Sequence, residues 1–485
     1  MATIAPKGVR TTHPDYDRLA PSWKDCRNAA SGQRAMHKAG AAYIDELVDE
    51  TPKQFAARIK RSNFFNGFWR TIAGLKGMAF RVDPQATLPS GVEALAMDIT
   101  LSGVSLDAFA SNIVEEVLEV GRVGVMVDYP QIPPNVSAIT VAAAETMGLR
   151  PTMQFYQAEA IRNWRFTRVN NAWVLAMVTL AESHPTNEDE FGHDCEDRYR
   201  VLDLDEAGHY RQRVFRIDKA GKDELVEGPF YPLMNNAPIG YVPFITIGAT
   251  GKGDVADEPP LIDLVDANIA LYQVNSDRRH GLHFTGLPTA VVSGYIPDEV
   301  NPKLHVGSTA AWVFPDPNAK ASYLEFTGKG LGESKDMSLE LKQEMAMLGA
   351  RMLADESRQA ETLGGTQIKH QGENSMLGEI VGHTSAALEW ALAVFGQWAG
   401  QSGAVEYQIN RQFLPVPMGP QELTALVAAW QSGAVSEREL FAKLQQGEVI
   451  ESGKDFEEHQ AEVEIALPAP AKPAAANVGT KEMAA

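Results

Sequence analysis

The pattern of apolar and polar positions predicts a helix that runs directly into a strand early in the chain. Apolar residues recur at helical spacing from Leu106 to Val120, and Ser105 before them is a candidate N-cap. Gly121 is placed to end this helix, and the following VGVMVDYP (Val123–Pro130) is apolar enough to be a buried strand.

Further strands are predicted up to Ala249. The stretches PTMQFYQAEAIRNWRF (Pro151–Phe166) and NAWVLAMVTL (Asn171–Leu180) have the composition of paired strands. Glu182–Arg198 contains seven acids and one arginine, which predicts a solvated loop. The strand-like phrases RYRVLDLD, YRQRVFRID and VPFITIGA then complete an α+β region.

From residue 257 the pattern changes to long helices. Asp257–Phe284 is predicted as a helix entered through two prolines, with Leu261, Leu264, Asn268, Leu271 and Asn275 on one stripe. A β-rich insert follows, and a second long helix is expected after Gly332. A polar, glycine-bearing interruption, ADESRQAETLGGTQIKHQGENSML, separates it from a third helix that ends around residue 400.

The last part predicts a strand, EYQINRQFLPV, and a helical pair. Ser436 and Glu439 have the spacing of a capping box at the start of the second helix of this pair. From Ala466 the Ala/Pro/Lys-rich tail lacks the apolar residues needed to fold, so we expect it to be disordered or to be ordered by a partner.

Composition restricts the class of protein. The 485 residues are 44% hydrophobic, which is enough for a large core in two or three structural units. No stretch reaches the roughly 18 apolar residues of a membrane span, and the N-terminus has no apolar run of a signal peptide. Only Cys26 and Cys195 occur, far apart, so neither a disulfide framework nor a thiolate metal site is indicated. We expect a soluble, unsecreted chain made in a reducing cytosol.

Charge is strongly polarised along the chain. Residues 1–81 contain 14 Lys and Arg against 7 Asp and Glu, which is a net charge of +7. Because the whole chain has a net charge of −20, the remaining 404 residues have a net charge of −27. The excess of acids over these 404 residues argues against a protein that wraps DNA by neutralising its phosphates. It permits contact with DNA that must not adhere to the protein. Ordinary solubilising surface is the alternative explanation.

Motifs for catalysis or cofactors are not supported. GATGKGD departs from a phosphate-binding loop because Thr246 replaces its first glycine and Gly253 its final Ser or Thr. TGKGLG lacks the dinucleotide spacing, and His280 and His283 have no carboxylate cluster near them in sequence. We therefore predict no catalytic residue, no metal, no cofactor and no enzymatic activity.

The order of several phrases resembles that of tailed-bacteriophage portal proteins, in particular a portal family common in siphovirus- and podovirus-like genomes. The phrases are NFFNGFWRTIAGLKGMAFRVDP, EVGRVGVMVDYP, AEAIRNWRF, HGLHFTGLPTAVVSG, AETLGGTQ and INRQF followed by the helical pair. The resemblance extends from about Asp15 to about Ile465.

This resemblance implies a portal-type α+β fold with an α/β wing, two long stem helices flanking a β-rich clip, a tunnel loop, a long helix and a small helical crown. The implied parts are the N-terminal region and wing 1–256, stem helix 257–286, clip 287–328, second stem helix 329–355, tunnel loop 356–375, long wing helix 376–404, crown region 405–465 and disordered tail 466–485.

The resemblance also implies a function and partners. Portal proteins form closed rings, dodecameric in mature particles, at the capsid vertex of the virion, after assembly in the host cytoplasm. The ring is the channel for packaging and ejecting double-stranded DNA, and it docks the terminase large subunit, a head–tail adaptor and the major capsid protein. No membrane is involved, and ATP hydrolysis belongs to the terminase.

Two groups of residues follow from this assignment. In the tunnel loop, the candidates for transient phosphate contact are Arg358, Gln367, Lys369, His370 and Gln371, although these side chains could equally solvate a flexible loop. In the basic N-terminal segment, Phe64, Phe65, Phe68 and Trp69 are expected in the core. The cations around them are expected to face an acidic neighbouring subunit, with DNA contact as the alternative: Arg58, Lys60, Arg61 and Arg70.

Two rival hypotheses remain at this stage. A cytosolic α+β enzyme with a helical lid would have a pocket of converging titratable groups and a small oligomeric state. A virion scaffold or adaptor is the other, although adaptors are usually much shorter than this chain.

Overall fold

The structure, a computed structural model of the chain, describes residues 8–130, 147–169, 171–186, 191–251, 253–286, 289–294, 314, 318–324, 330–351, 375–401, 403–413, 418–447, 449–450 and 454–466. The chain forms two compact units that divide between Phe413 and Leu414. The first unit mixes helices and sheets, which confirms the predicted α+β class.

The helices of the described residues are numbered in chain order. They are α1 (Pro14–Ser31), α2 (Gln33–Ala39), α3 (Pro52–Arg61), α4 (Gly67–Ala79), α5 (Ser90–Glu93), α6 (Leu106–Val120), α7 (Ile262–Thr285), α8 (Gly330–Arg351), α9 (Met376–Trp398), α10 (Pro420–Gln431), α11 (Glu437–Gln446) and α12 (Phe456–Ala466).

The strands are numbered in the same way. They are β1 (Gln85–Thr87), β2 (Arg122–Asp128), β3 (Thr152–Gln157), β4 (Ile161–Val169), β5 (Ala172–Pro185), β6 (Cys195–Leu204), β7 (Tyr210–Ile217), β8 (Asp223–Phe230), β9 (Leu233–Met234), β10 (Ala237–Pro238), β11 (Phe244–Gly248), β12 (Thr289–Ser293), β13 (Lys320–Leu324) and β14 (Glu406–Gln408).

The core of the first unit is built around α6. Helices α1, α4 and α9 pack against α6, and α9 also covers β2 and β11. The predicted start and end of α6 are confirmed: the Ser105 side chain accepts a hydrogen bond from Ala108 N, and Gly121 adopts a positive φ of 78°. A Cβ at Gly121 would lie 2.6 Å from the Glu258 carbonyl oxygen, so this helix-to-strand turn requires glycine.

Two antiparallel sheets flank this core, with strand orders β11–β2–β3 and β4–β5–β6–β7–β8. The predicted pairing of β4 with β5 is confirmed, with Val169 opposite Ala172 at the turn. The single strand expected over Pro151–Phe166 is wrong, because a 3-10 turn at Ala158–Ala160 divides it. Its two halves, β3 and β4, belong to different sheets.

The predicted solvated loop at Glu182–Arg198 is also wrong. Strand β5 continues to Pro185 and β6 begins at Cys195, opposite it in the ladder. The acids of this segment are compatible with a strand because arginines of the sheet neutralise them. Glu182 accepts a hydrogen bond of 2.6 Å from Arg200, and Glu196 accepts one of 2.6 Å from Arg198.

After α9 the chain contributes one more short segment to the first unit. The strand predicted at EYQINRQFLPV is short: β14 covers three residues and pairs with β1. Tyr407 and Phe413 are almost completely buried in the core, and the Tyr407 hydroxyl donates a hydrogen bond to Asp107 at 2.8 Å. The second unit therefore begins after Phe413, and the crown boundary expected at 405 stays a prediction.

The second unit contains the predicted helical pair, α10 and α11. Its capping box is confirmed, since Ser436 Oγ accepts from Glu439 N at 3.2 Å and Glu439 accepts from Ser436 N at 2.9 Å. The Glu439 carboxylate also accepts a hydrogen bond of 2.9 Å from Ser436 Oγ, and the two bonds that it accepts from Ser436 N and Oγ lower the pKa of the Glu439 carboxyl. Helix α12, which the sequence pattern did not reveal, packs Phe456 edge-on against Phe441. The expected disordered tail, 466–485, lies outside the described residues apart from Ala466.

A buried ionic cluster joins α1 to α6 and to the turn before β4. The Arg27 guanidinium contacts three carboxylates: Glu116, Glu119 at 3.1 Å and Glu159 at 2.9 Å. Burial raises the pKa of Glu116 and of Glu119 although Arg27 opposes that shift. Burial is the largest single influence on Glu159 and acts to raise its pKa, but the hydrogen bond from Arg27 and the Arg27 charge together outweigh it and lower the pKa. A single cation thus holds three acids at the centre of the first unit.

Replacing this cation should destabilise the fold in a pH-dependent manner. Arg27→Met leaves buried carboxylates without a counter-charge, which should lower the free energy of unfolding by about 3–5 kcal/mol at pH 7.5. Carboxyl groups with a raised pKa in the folded state bind protons on folding, so the deficit should shrink as the pH falls to about 5. Chemical denaturation at both pH values measures it.

The control is Lys24→Met on the exposed side of α1, for which we expect a change within about 0.5 kcal/mol. The double variant Arg27→Met/Glu116→Gln should recover part of the loss because one buried charge is removed. Equal deficits at the two pH values would contradict the ionic explanation.

Candidate functional site

The most distinctive feature of the first unit is a pair of long helices connected to a two-stranded ribbon, which we call the arm: α7, β12, β13 and α8. The helices are antiparallel, since Asn275 meets Ser338 and Gly281 lies beside Leu331. The ribbon strands pair Thr289 with Leu324 and Ser293 with Lys320. The predicted long helices and part of the predicted β-rich insert are thereby confirmed.

We call the part of the first unit outside the arm the body. The first half of helix α7 packs into the body, and its second half is exposed. Leu264, Leu271 and Tyr272 are buried in the core of the unit. Beyond Ser276, which is also buried, the side chains at 277–283 are partly or fully exposed. The arm is therefore an extension of a helix whose start is fixed inside the body.

Asn268 attaches this helix to the body. Its side chain is fully buried, and Oδ1 accepts hydrogen bonds from the backbone N–H groups of Gly67 at 3.2 Å and Phe68 at 3.1 Å. Nδ2 donates to the Phe65 carbonyl oxygen at 2.8 Å. The amide thus satisfies the first N–H groups of α4, which have no partner within their own helix. This geometry fixes the position of α7 against α4.

A second set of contacts attaches α7 to α3. Ser62 Oγ lies 2.8 Å from Ser276 Oγ in a buried position. Next to it, the buried Arg58 donates to Glu50 at 2.8 Å, and this hydrogen bond lowers the pKa of the Glu50 carboxyl. Burial, and then the nearby Arg58 charge, lower the pKa of the His280 imidazole.

Helix α8 returns to the body at α4. Leu341 and Met345 are buried, and a Cβ at Gly67 would lie 2.4 Å from the Met345 methyl group. The Lys342 ammonium lies 5.4 Å from the centre of the Phe65 ring. Both ends of the arm are consequently held by the same short segment of the body, at the start of α4.

Apolar side chains are exposed along the arm. A monomer gains nothing from exposing large apolar groups at several positions of one element, and such surfaces are common at interfaces. The exposed fractions are 49% for Leu282, 41% for Val291, 57% for Tyr323, 45% for Met337, 49% for Leu339 and 62% for Met347.

One face of α8 is acidic. Glu333, Asp336, Glu340 and Glu344 are all exposed and follow one another at intervals of three, four and four residues. At 3.6 residues per turn these positions form a single stripe along the helix. The arm therefore presents a line of negative charge beside its exposed methionines.

The predicted tunnel-loop residues lie outside the described residues. Arg358, Gln367, Lys369, His370 and Gln371 fall in the segment 352–374, between α8 and α9. Their contact with DNA stays a prediction.

The predicted interface cations have different surroundings. Arg58 is 2% exposed and engaged by Glu50 within its own chain, so its charge is not presented to a neighbour. Lys60 and Arg70 are exposed and Arg61 is half-buried. The expected burial of Phe64 and Phe68 is confirmed, and Phe65 and Trp69 pack against the same core.

Sequence reasoning placed Asn268 on the apolar stripe of α7 without assigning it a role. The signal was available, since an amide among leucines at helical spacing requires a buried hydrogen-bond partner. The partner could not be identified from sequence because it is the backbone of α4, about 200 residues earlier. The acidic stripe of α8 was visible in the sequence but was not used.

The described residues were compared with the requirements of a metal site and of a membrane-spanning helix. No three His, Cys, Asp or Glu side chains in them are grouped as a metal site would require. None of the described helices is long and apolar enough to span a bilayer. An open cleft of about 510 Å³ between α6 and β3 contains Glu115 and Glu116, but Lys76 and Arg27 engage these two acids.

Comparison with known proteins gives one family match. Residues 260–399 match a family described as a domain of unknown function, DUF4055. The match begins two residues before α7 and ends one residue after α9, so it contains the whole arm but less than a third of the chain. No curated protein matches the chain.

Three solved structures are similar to the chain at low identity. The first is a virion of a native gene transfer agent particle, with 9% identity and a TM-score of 0.36, covering 83% of this chain and 94% of that one. The necks of the empty and native particles, computed with C6 and C12 symmetry, have 11% and 10% identity and TM-scores of 0.38 and 0.37. They cover 82% and 84% of this chain and 95% and 98% of theirs. Because the TM-scores are below 0.5, these similarities support no conclusion about this chain.

Removal of the Asn268 amide should weaken the attachment of the arm. Asn268→Leu leaves the buried Phe68 N–H without its partner, whereas the Gly67 N–H and the Phe65 carbonyl oxygen keep the hydrogen bond of 2.8 Å that they form with each other. A buried group without a partner costs about 1–3 kcal/mol, so the free energy of unfolding should fall by about that amount. Hydrogen exchange at Phe68 should accelerate. The control is Gln273→Leu, which removes a partly buried hydrogen bond to Tyr43 O from the same helix and should cost about 1 kcal/mol or less. Unchanged exchange at Phe68 would contradict the assigned role.

Proposed function

We propose that this chain is the subunit of a phage portal: a ring at the capsid vertex of the virion that forms the channel for packaging and ejecting double-stranded DNA. The observation that carries the proposal is the arm. A body-anchored helix leads into an antiparallel ribbon and returns by a second long helix, after which α9 re-enters the core. This is the order of parts that the sequence resemblance implies for the stem, clip and wing of a portal.

The proposal assigns each part of the arm a role in the ring. Helices α7 and α8 are the stem, the ribbon of β12 and β13 belongs to the clip, and 356–375 is the tunnel loop. The clip is then the surface on which the terminase large subunit and the head–tail adaptor dock in turn. The sheets of the first unit form the wing, which packs against neighbouring subunits and the major capsid protein.

Exposed apolar side chains support assembly of many copies. Met337 and Met347 on α8 and Tyr323 on the ribbon are about half exposed or more in the isolated chain. In a ring each subunit presents different faces to its two neighbours, and such heterologous contacts close when the rotation between copies permits. Burying these groups between copies would remove their contact with water.

The acidic stripe of α8 supports passage of DNA without adhesion. Repeated around a ring, Glu333, Asp336, Glu340 and Glu344 would give a channel wall of like charge to the phosphates. A wall of cations would instead release counterions and retain the duplex. A few polar or basic loop residues, such as Lys369, then suffice for transient contact.

A non-enzymatic role accords with the acids of the cleft between α6 and β3. Glu115 and Glu116 are engaged by cations, so within the described residues that cleft supplies no unengaged acid–base pair. None of the contacts described above favours the alternative hypothesis of an enzyme with a helical lid. In this proposal the protein acts by forming the ring, and the terminase hydrolyses ATP.

Assembly is the first test. The purified full-length chain should form rings of about a dozen subunits with a central hole, visible by negative-stain imaging and by native mass. Met337→Ser/Met347→Ser should raise the concentration needed for half-assembly by about tenfold. The matched control is Met97→Ser in the body, where Met97 is 77% exposed. A wild-type chain that stays monomeric or dimeric at all salt concentrations would refute the proposal.

Reversing the charge of α8 should make the wall of the proposed channel bind DNA. Rings of Glu340→Lys/Glu344→Lys should retain double-stranded DNA in a filter-binding assay at low salt and release it as salt rises, whereas wild-type rings should retain little. Glu457→Lys/Glu458→Lys on α12 makes the same change of net charge elsewhere and should have a smaller effect. Equal retention by both variants would place the acidic stripe away from the channel.

A further inference from the structure

A short loop before α3 presents apolar side chains to solvent between acids. We call residues 45–49 (DELVD) the tip. Val48 is 93% exposed and Leu47 is 46% exposed, whereas Asp45, Glu46 and Asp49 around them are exposed carboxylates. Val48 is the most exposed of the large apolar side chains in the described residues. A surface of this kind indicates a contact that the isolated chain does not make.

The tip is held in place and is not a loose loop. The Asp45 carbonyl oxygen accepts a hydrogen bond from the buried Arg58, and Glu50 accepts from Leu47 N at 3.1 Å and from Arg58. Its apolar side chains are therefore presented in a fixed conformation. Preorganisation of this kind reduces the entropy that a contact must overcome.

A cleft of complementary character lies on α3. We call it the groove: it has an open volume of about 450 Å³, which is in the range of sites that accommodate small ligands or side chains. Phe55, Ala56 and Ile59 supply apolar surface, and the exposed Lys38 and Lys60 supply positive charge at its edge. The remaining lining residues are His37, Ala39, Gly40 and Ala41.

The tip does not occupy the groove of its own chain. Arg58 points to the tip, as its hydrogen bonds show. The groove begins beside Arg58 on the same helix, since the Phe55 ring lies 5.3 Å from the Arg58 guanidinium, and it extends to Ala56 and Ile59. None of residues 45–49 lines the groove, so one copy can donate its tip while it accepts the tip of another. This is the geometry of a head-to-tail contact.

We infer that the tip of one copy inserts into the groove of the next copy, with Leu47 and Val48 against Phe55, Ala56 and Ile59 and the tip acids beside Lys38 and Lys60. The inference rests on the proposed ring and names one of its subunit contacts. Charge complementarity selects this occupant, because the tip is apolar with an acidic border and the groove is apolar with a basic border. It also gives the predicted interface cation Lys60 a partner.

Cross-linking between copies tests the contact directly. Two full-length chains, Val48→Cys and Ala56→Cys, are co-expressed in a Cys195→Ser background with tags of different size, since Cys195 is exposed and Cys26 is buried. Oxidation or a short bismaleimide should give covalent dimers that contain both tags, and neither chain alone should give them. Val48→Cys with Met97→Cys is the control pair and should give none.

Assembly of a tip variant is the second measurement. Leu47→Ser/Val48→Ser should raise the concentration for half-assembly by about tenfold or more, with the melting temperature of the monomer unchanged. Val449→Ser/Val463→Ser, which changes two exposed apolar residues of the second unit, should leave assembly unaltered. Ala56→Trp, which fills the groove and leaves the tip intact, should act like the tip variant.

The outcomes separate this inference from the proposed function. Rings of the wild-type chain that give no mixed cross-link and that form equally well from the tip variant would overturn the inference alone. A wild-type chain that forms no ring would overturn the proposed function. Normal rings from the tip variant, together with loss of binding to another virion protein, would assign the tip to that protein and overturn the inferred contact between copies.

Discussion

The arrangement of the first unit depends on one buried amide. Asn268 lies in an apolar stripe of α7 and satisfies both N–H groups at the start of α4 and the carbonyl of Phe65. A buried amide tolerates few positions, because each polar atom needs its partner at the right distance and direction. The contact therefore determines how α7 leaves the body. It also places Phe65 and Gly67 where α8 returns, so the two ends of the arm share one anchor.

Acids in the core of the body and acids on the arm have different surroundings. In the core, several acids are paired within the chain: Arg27 contacts three carboxylates, and Arg211 and Arg213 contact Asp203. On α8, four acids lie exposed in a line. Matched charges stabilise a single conformation, whereas an exposed line of charge acts on whatever approaches it. This contrast is why the arm, and not the body, carries the proposed function.

Elements with a local signal were predicted well, and those that depend on distant partners were not. Ser105, Gly121 and the Ser436–Glu439 box gave correct helix ends because capping involves neighbours in sequence. Glu182–Arg198 was mistaken for a loop because its acids are compatible with a strand only when Arg198 and Arg200 face them. The split between β3 and β4 was missed for a similar reason, since sheet membership is set by long-range pairing.

The sequence by itself determined the α+β class, the two long helices with a β-rich insert between them, the absence of recognisable catalytic motifs and the polarised charge. These follow from periodicity and composition, which the chain carries locally. Only the tertiary structure decided that Arg58 is enclosed while Lys60 remains exposed, that Asn268 anchors the arm, and that the tip does not line the groove of its own chain. The physical reason is that burial and hydrogen-bond partners depend on segments brought together from distant parts of the chain, and a sequence pattern does not contain that distance information.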